Sequence, residues 1–279
     1  MTKGAAIVTG SAQGIGKAIV RRLAVAGYKV CVNDIECNAA RAHALVLELR
    51  QQHGNEAVIA VIANVTQQDQ VQSMIDRTVK ELDCELTLMV ANAGVCQIKD
   101  VLDLTPDDIK FVFDVNFLGL FNCYTLAAKQ MISQSKRAVN GETDGAPETS
   151  PWKYRIIGAS SIVAFKPFPL SSHYSTAKWA VRGFTQGFAM EMAKYHIAVN
   201  AYAPGVIATD MWDKIDEGLC EVDGKPQGEA SREGAERSLM GRLGTPEDVA
   251  KVVAGFLAGP DANFVNGQTL IVDGGIMLT

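Results

Sequence analysis

The 279-residue sequence contains no uninterrupted apolar run that approaches the ~18 residues a membrane-spanning helix requires. Its six cysteines (Cys31, Cys37, Cys84, Cys96, Cys123 and Cys220) form no CxxC pair and do not cluster with the four histidines at metal-ligand spacing. No structural metal is therefore expected, and the thiols are expected to be reduced and mostly buried. Positive charge is not in excess. A formal net charge of −5 argues against a nucleic-acid partner, which needs a basic face. The first strand-like segment starts at Ala5, leaving no room for a signal peptide, so a cytoplasmic protein is expected. What remains is an ordinary globular balance, 48% hydrophobic and 20% charged, at a length that suits one α/β domain over residues 1–279.

Short apolar segments alternate with helix-length ones. Strands are expected at Ala5–Val8, Lys29–Asn33, Ala57–Ile62, Leu86–Val90, Tyr154–Gly158, Ala198–Ala203 and Thr269–Val272. They are apolar on both sides, as buried parallel strands are. Helices are expected near 15–26, 38–52, 68–82, 106–134, 174–195 and 246–258. Thr105-Pro106-Asp107-Asp108 and Thr245-Pro246-Glu247-Asp248 each combine a cap, a proline in the first turn and acids facing the helix dipole. The alternation predicts a Rossmann-type doubly wound parallel sheet with helices on both faces. Two segments break the rhythm. Residues 136–153 are polar and turn-rich and read as a surface loop. Residues 207–241 read as irregular chain with a few large apolar groups, either a lid over a site or a decorated surface loop.

Gly10, Gly14 and Gly16 follow the first strand and open the first helix. The first glycine permits a tight turn, and the others let the backbone approach a pyrophosphate whose charge the helix N-terminus favours. Asp34 ends the second strand, eighteen positions after Gly16, where a carboxylate can accept hydrogen bonds from ribose hydroxyls. It would repel a 2′-phosphate, and Gln13, Asn33 and Ile35 supply no compensating charge. NAD is therefore expected in preference to NADP. Asn64 and Asn92-Ala93-Gly94 follow the third and fourth strands on the same carboxyl edge, although asparagines in turns are usually just turn formers.

Tyr174 and Lys178 stand four apart in a helical segment and share a face. A free tyrosine is a poor proton donor or acceptor at neutral pH, and a nearby ammonium would lower its pKa. An exposed Tyr–Lys pair on a helix is the bland alternative. His173 invites a proton-shuttle role, but a histidine that shapes the pocket or faces solvent is the better expectation.

The ordered set Thr9-Gly10-xxx-Gly14-x-Gly16, Asn92-Ala93-Gly94, Asn116, Ser161, Tyr174-xxx-Lys178, Pro204-Gly205 with Thr209, and Asp273-Gly274-Gly275 resembles the classical short-chain dehydrogenases/reductases over almost the whole chain. The resemblance implies a nicotinamide-dependent enzyme that interconverts a secondary alcohol and a ketone. It implies that Tyr174 is the general acid/base and that Ser161, thirteen residues upstream, binds the substrate oxygen. Lys178 would hold the nicotinamide ribose and tune Tyr174, and Asn116 would support a water in a proton relay. The cofactor set it implies also takes in Gln13, Ile15, Val65, Pro204, Gly205, Ile207 and Thr209, the Pro-Gly turn and threonine cradling the carboxamide. Two positions depart from the pattern: Ala91 precedes Asn-Ala-Gly, and Asn64 stands where an aspartate is usual.

Lys178–Gln186, Thr209–Trp212 with Ile215-Asp216, Gly224–Pro226 and Gly241–Val249 are similar to acetoin/diacetyl reductases (2,3-butanediol dehydrogenases), which implies small vicinal ketones as substrates. Phe165, Phe168 and Trp212 raise the alternative of a biosynthetic ketoreductase for a larger apolar ketone. A non-catalytic dinucleotide-binding scaffold is a third reading, which the full proton-transfer set opposes. A homotetramer is expected, with helices 106–134 and 174–195 paired across two-fold axes and Ile276-Met277-Leu278 buried between subunits.

Overall fold

A computed structural model describes residues 3–139, 152–224 and 226–279. Seven parallel strands form one sheet in the order β3-β2-β1-β4-β5-β6-β7. They are β1 (Ala5–Val8), β2 (Lys29–Asp34), β3 (Val58–Ile62), β4 (Leu86–Ala91), β5 (Tyr154–Ala159), β6 (Ile197–Pro204) and β7 (Thr269–Val272). Alternate side chains of one strand serve two cores. Ala6 and Val8 pack under α1 (Gly14–Val25) and α2 (Ala39–His53), and Ala5 and Ile7 pack on the other face under α3 (Gln68–Leu82). Both faces being covered explains why the strands are apolar throughout. The winding direction reverses between β1 and β4, which opens a crevice at their carboxyl ends.

The expected helix at 106–134 is three pieces in one continuous rod. α4 (Pro106–Phe113) leads into a π-helical turn at Asp114–Leu118, and α5 (Gly119–Val139) follows. The Thr105 capping box forms as expected. Helix persists to Val139, through Lys136, Arg137 and Ala138, all good helix formers, so the first residues assigned to a surface loop are helical. Of the rest of that expected loop, residues 140–151 lie outside the described residues, and Trp152 and Lys153 lead into β5. The rod also corrects the reading of apolar runs. Pro106–Ser135 has a window of mean hydropathy 1.3 and is long and apolar enough to cross a membrane, because four of its five charged residues (Asp107, Asp108, Lys110 and Asp114) lie in its first third and only Lys129 follows. Half of that window is buried against β4 and α6 (Ser172–Met192), as in a core helix.

The described residues of 207–241 are mostly helical and not irregular. They fold as α7 (Asp210–Asp223) and α8 (Glu229–Arg237). Thr209 caps α7, Asp210 and Asp213 sit in its first turn, and Gly224 closes it in the left-handed conformation at φ 67°. α9 (Pro246–Val252), entered through the Thr245 capping box, then packs beside α1.

Candidate active site

A single cavity of about 1410 Å³ runs along the carboxyl ends of the strands, from Asp34 at one end to Ser161 and the α7–α8 pair at the other. Every residue expected in the cofactor and catalytic sets lines it.

At the β1 end, the glycines do what close approach requires. Gly10 and Gly14 have φ of 61° and 55°, and a Cβ on Gly16 would stand 2.5 Å from the Gly10 carbonyl oxygen. Asn92 acts through this turn. Its Nδ2 donates to the Thr9 and Gly10 carbonyls at 2.8 and 3.0 Å, and its Oδ1 accepts from the Tyr202 hydroxyl at 2.7 Å. Asp34 is buried and oriented: Oδ2 accepts from the Ala12 N–H at 3.0 Å, and Oδ1 accepts from the Ile35 N–H and Asn38 Nδ2. Asn64 lines the cavity, its Oδ1 accepting from the Thr66 N–H at 3.0 Å. Thr209 reaches over the turn, its methyl 3.5 Å from where a Gly14 Cβ would be.

The sequence reading missed Asn38 and Arg41. Arg41 Nη1 pairs with Asp210 Oδ2 at 2.9 Å and with Gln13 Oε1, joining α2, the glycine turn and α7 across the cavity mouth. No local spacing betrays a contact 169 residues apart.

At the β5 end, Ser161 caps a short 3-10 turn and hydrogen-bonds Tyr174, whereas Ser160 Oγ donates to the Lys178 carbonyl at 3.3 Å. Lys178 is buried, its Nζ donating to the Ala159 carbonyl at 2.8 Å and lying 5.6 Å from the Tyr174 ring centre. Asn116 sits in the π-turn, with Nδ2 donating to the Val95 and Val112 carbonyls and Oδ1 accepting from the Val95 N–H. Such turns often mark functional positions because they free backbone groups. Burial pushes the Tyr174 phenol up, with Cys96 adding to the effect and the Ser161 hydrogen bond opposing it. Burial pushes Lys178 down to about 8. The expected lowering of Tyr174 by the Lys178 ammonium is not seen among the chain's own groups, where desolvation sets the direction.

The substrate end is walled by Cys96, Ile98, Phe168, Leu170, Met211 and Trp212. Phe165 is not part of it; its ring lies 4.0 Å from the Arg182 guanidinium. The Trp212 indole N–H donates to Ser231 Oγ at 2.8 Å, and the buried Asp216 accepts from the Gly228 and Ser231 N–H groups at 2.6 and 3.2 Å. These bonds join α7 and α8 into one unit. His173 is buried and turned away from the cavity, so it neither faces solvent nor lines the pocket.

A family model described as enoyl-(acyl carrier protein) reductase matches residues 10–277. The chain is 38% identical to an L-2,3-butanediol dehydrogenase of Corynebacterium glutamicum over 98% of both chains. It is 33% identical to a diacetyl reductase [(S)-acetoin forming] of Staphylococcus epidermidis, again over 98% of both. A short-chain dehydrogenase of Burkholderia cenocepacia J2315, solved in complex with NADP, superposes with a TM-score of 0.80 at 28% identity, over 99% of this chain and 98% of that one. The chain belongs to the short-chain dehydrogenase/reductase family. It is an oxidoreductase that interconverts an alcohol and a ketone, using a nicotinamide dinucleotide.

Proposed function

We propose that the enzyme reduces small vicinal diketones and hydroxyketones, such as diacetyl and acetoin, with NADH in preference to NADPH. The observation that carries this reading is the convergence of Ser161, Tyr174 and Lys178 on the same cavity that Asp34 closes at its other end. The likeness to butanediol dehydrogenase and diacetyl reductase supports the substrate class.

The residues present fit the cofactor. A Cβ at Gly16 would collide with the Gly10 carbonyl and the Asn92 amide, so this glycine lets α1 pack tightly on the turn, and the α1 N-terminus, which lines the cavity, offers free N–H groups for a pyrophosphate. When bound, the dinucleotide supplies or accepts the hydride at the carbonyl carbon. Asp34, oriented by two backbone amides and Asn38, offers its remaining lone pairs to the adenosine ribose. Ser161 donates a hydrogen bond to the ketone oxygen. Tyr174, held protonated by its burial, delivers the proton that turns this oxygen into the alcohol hydroxyl. Lys178 holds the nicotinamide ribose and supports replacement of that proton, and Asn116 orders the water that feeds it.

The α4–α5 rod exposes Ile109, Phe111, Leu118 and Phe121, and α6 exposes Trp179 and Met190. Apolar faces of this size support the homotetramer. Leu278, 83% exposed in the single chain, would be covered there.

The test is kcat/KM for diacetyl, acetoin and a bulky aromatic ketone with NADH and NADPH, alongside sedimentation. Preference for the bulky ketone would retire the substrate class, better use of NADPH would retire the cofactor preference, and a monomer at micromolar concentration would retire the tetramer.

A further inference from the structure

The residue before the catalytic tyrosine is a histidine with no part in the proton transfer described above. His173 sits in the first turn of α6 and is 3% exposed. Its Nε2 lies 3.1 Å from Gln97 Oε1. Which atom donates is settled one step further along. Gln97 Nε2 lies 2.8 Å from Asp108 Oδ1, and an ionised carboxylate can only accept. The Gln97 amide nitrogen therefore faces Asp108, its oxygen faces His173, and His173 must donate from Nε2.

The neutral ring then leaves Nδ1 as a bare acceptor, and Nδ1 is indeed buried without a hydrogen-bond partner. Burial pushes the His173 pKa below its ordinary value; Asp108 opposes that shift and Lys99 adds to it. The positive end of the α6 dipole also disfavours a cation in this turn. Asp108 is itself pinned, accepting from Lys99 Nζ at 2.7 Å and from the Thr105 N–H and hydroxyl at 2.9 and 2.7 Å.

This chain of bonds clasps the segment after β4. That segment is anchored at its start by Val95 to Asn116 and at its end by the Lys99 N–H to the Leu170 carbonyl at 2.8 Å. Between these anchors stand Cys96 and Ile98, which line the cavity, and Gln97, which does not. The Gln97 side chain is thus the middle anchor, and His173 is what it holds on the catalytic helix.

We infer that His173 and Gln97 are positioning residues for substrate selection: the directed bond Asp108–Gln97–His173 fixes Cys96 and Ile98 as the wall against which the non-reacting part of the ketone lies. The inference rests on the ketone-reductase reading of this cavity. It predicts effects on ketone fit, with cofactor binding and the chemical step left nearly alone.

The experiment compares His173→Leu, which keeps bulk without a donor, with His173→Gln, which restores an N–H at similar reach. Gln97→Leu and the double variant complete a thermodynamic cycle, and Gln97→Leu serves alone if His173→Leu fails to fold. Each enzyme is assayed with NADH on the ketone that the wild type reduces fastest in a panel of straight-chain 2,3-diketones, and on the next longer ketone. His173→Leu and Gln97→Leu should each raise KM about fivefold, leave kcat and the NADH Kd within twofold, and narrow the preference between the two ketones. His173→Gln should recover most of the loss, and the double variant should be no worse than either single one. An unchanged KM, a loss confined to kcat, a glutamine variant as poor as leucine, or additive losses would overturn the inference. Poor turnover of diacetyl itself would count only against the proposed substrate.

Discussion

The dinucleotide end and the ketone end of the cavity are held together by different kinds of bond. At the first, backbone does most of the work: glycines approach carbonyls, and Asn92 and Asp34 bond main-chain groups of neighbouring turns. At the second, side chains of separate elements hold each other, as Trp212 of α7 holds Ser231 of α8 and His173 of α6 holds Gln97 of the segment after β4. A backbone-built site tolerates few substitutions and suits a ligand that does not vary. A side-chain-built wall can be repacked while the sheet stays as it is, which suits a family with one cofactor and many substrates.

The seam between the two ends should respond most. Tyr174→Phe removes the proton donor and keeps the ring, so kcat should fall by at least about 100-fold while NADH binding, followed by fluorescence titration, stays near normal. At the dinucleotide end, Asp34→Ala should narrow the NADH-over-NADPH preference by about 5- to 150-fold in kcat/KM, the equivalent of ~1–3 kcal/mol. Its ketone KM should not move.

The pH dependence concerns the seam again. Tyr174 stays protonated because its pKa is raised, while Lys178, held down to about 8, loses its charge above that pH. A kcat/KM profile for ketone reduction should therefore be flat near neutrality and fall by roughly tenfold per pH unit above the Lys178 value. A profile that rises there would contradict the assignment. The smallest effect belongs to the ketone end. Ser231→Ala frees the Trp212 indole and should raise ketone KM by about fivefold, the worth of one hydrogen bond near ~1 kcal/mol, with NADH Kd unchanged.

The same contrast governs what could be read from the chain. β1 and β7 stand at the expected residues, and α3 occupies 68–82 as expected, because each is a short pattern bounded by its own turn signals. Gly10, Gly14, Gly16 and Asp34 were legible because a turn and a strand end specify them locally. Residues 207–241 read as irregular in the sequence because Gly218, Gly224 and Gly228 mask two helices. The Thr209 cap with Asp210 and Asp213 was the available signal for α7. Phe165, which in the sequence supports a wider apolar pocket, turns its ring to Arg182 instead. The links from Gln97 to His173, Arg41 to Asp210 and Trp212 to Ser231 join residues 76, 169 and 19 positions apart. No periodicity encodes such pairs; they exist only after the sheet has brought loop ends together.

One of those pairs lies across the entrance and not in the wall. The Arg41 and Asp210 side chains are 57% and 58% exposed, so their attraction adds little at equilibrium and weakens further in salt. Its consequence is for timing. A dinucleotide lying in the cavity would pass beneath a bridge from α2 to α7, and each departure would wait for that bridge to part. Ionic strength should therefore shorten the residence time of the cofactor far more than it changes the catalytic step.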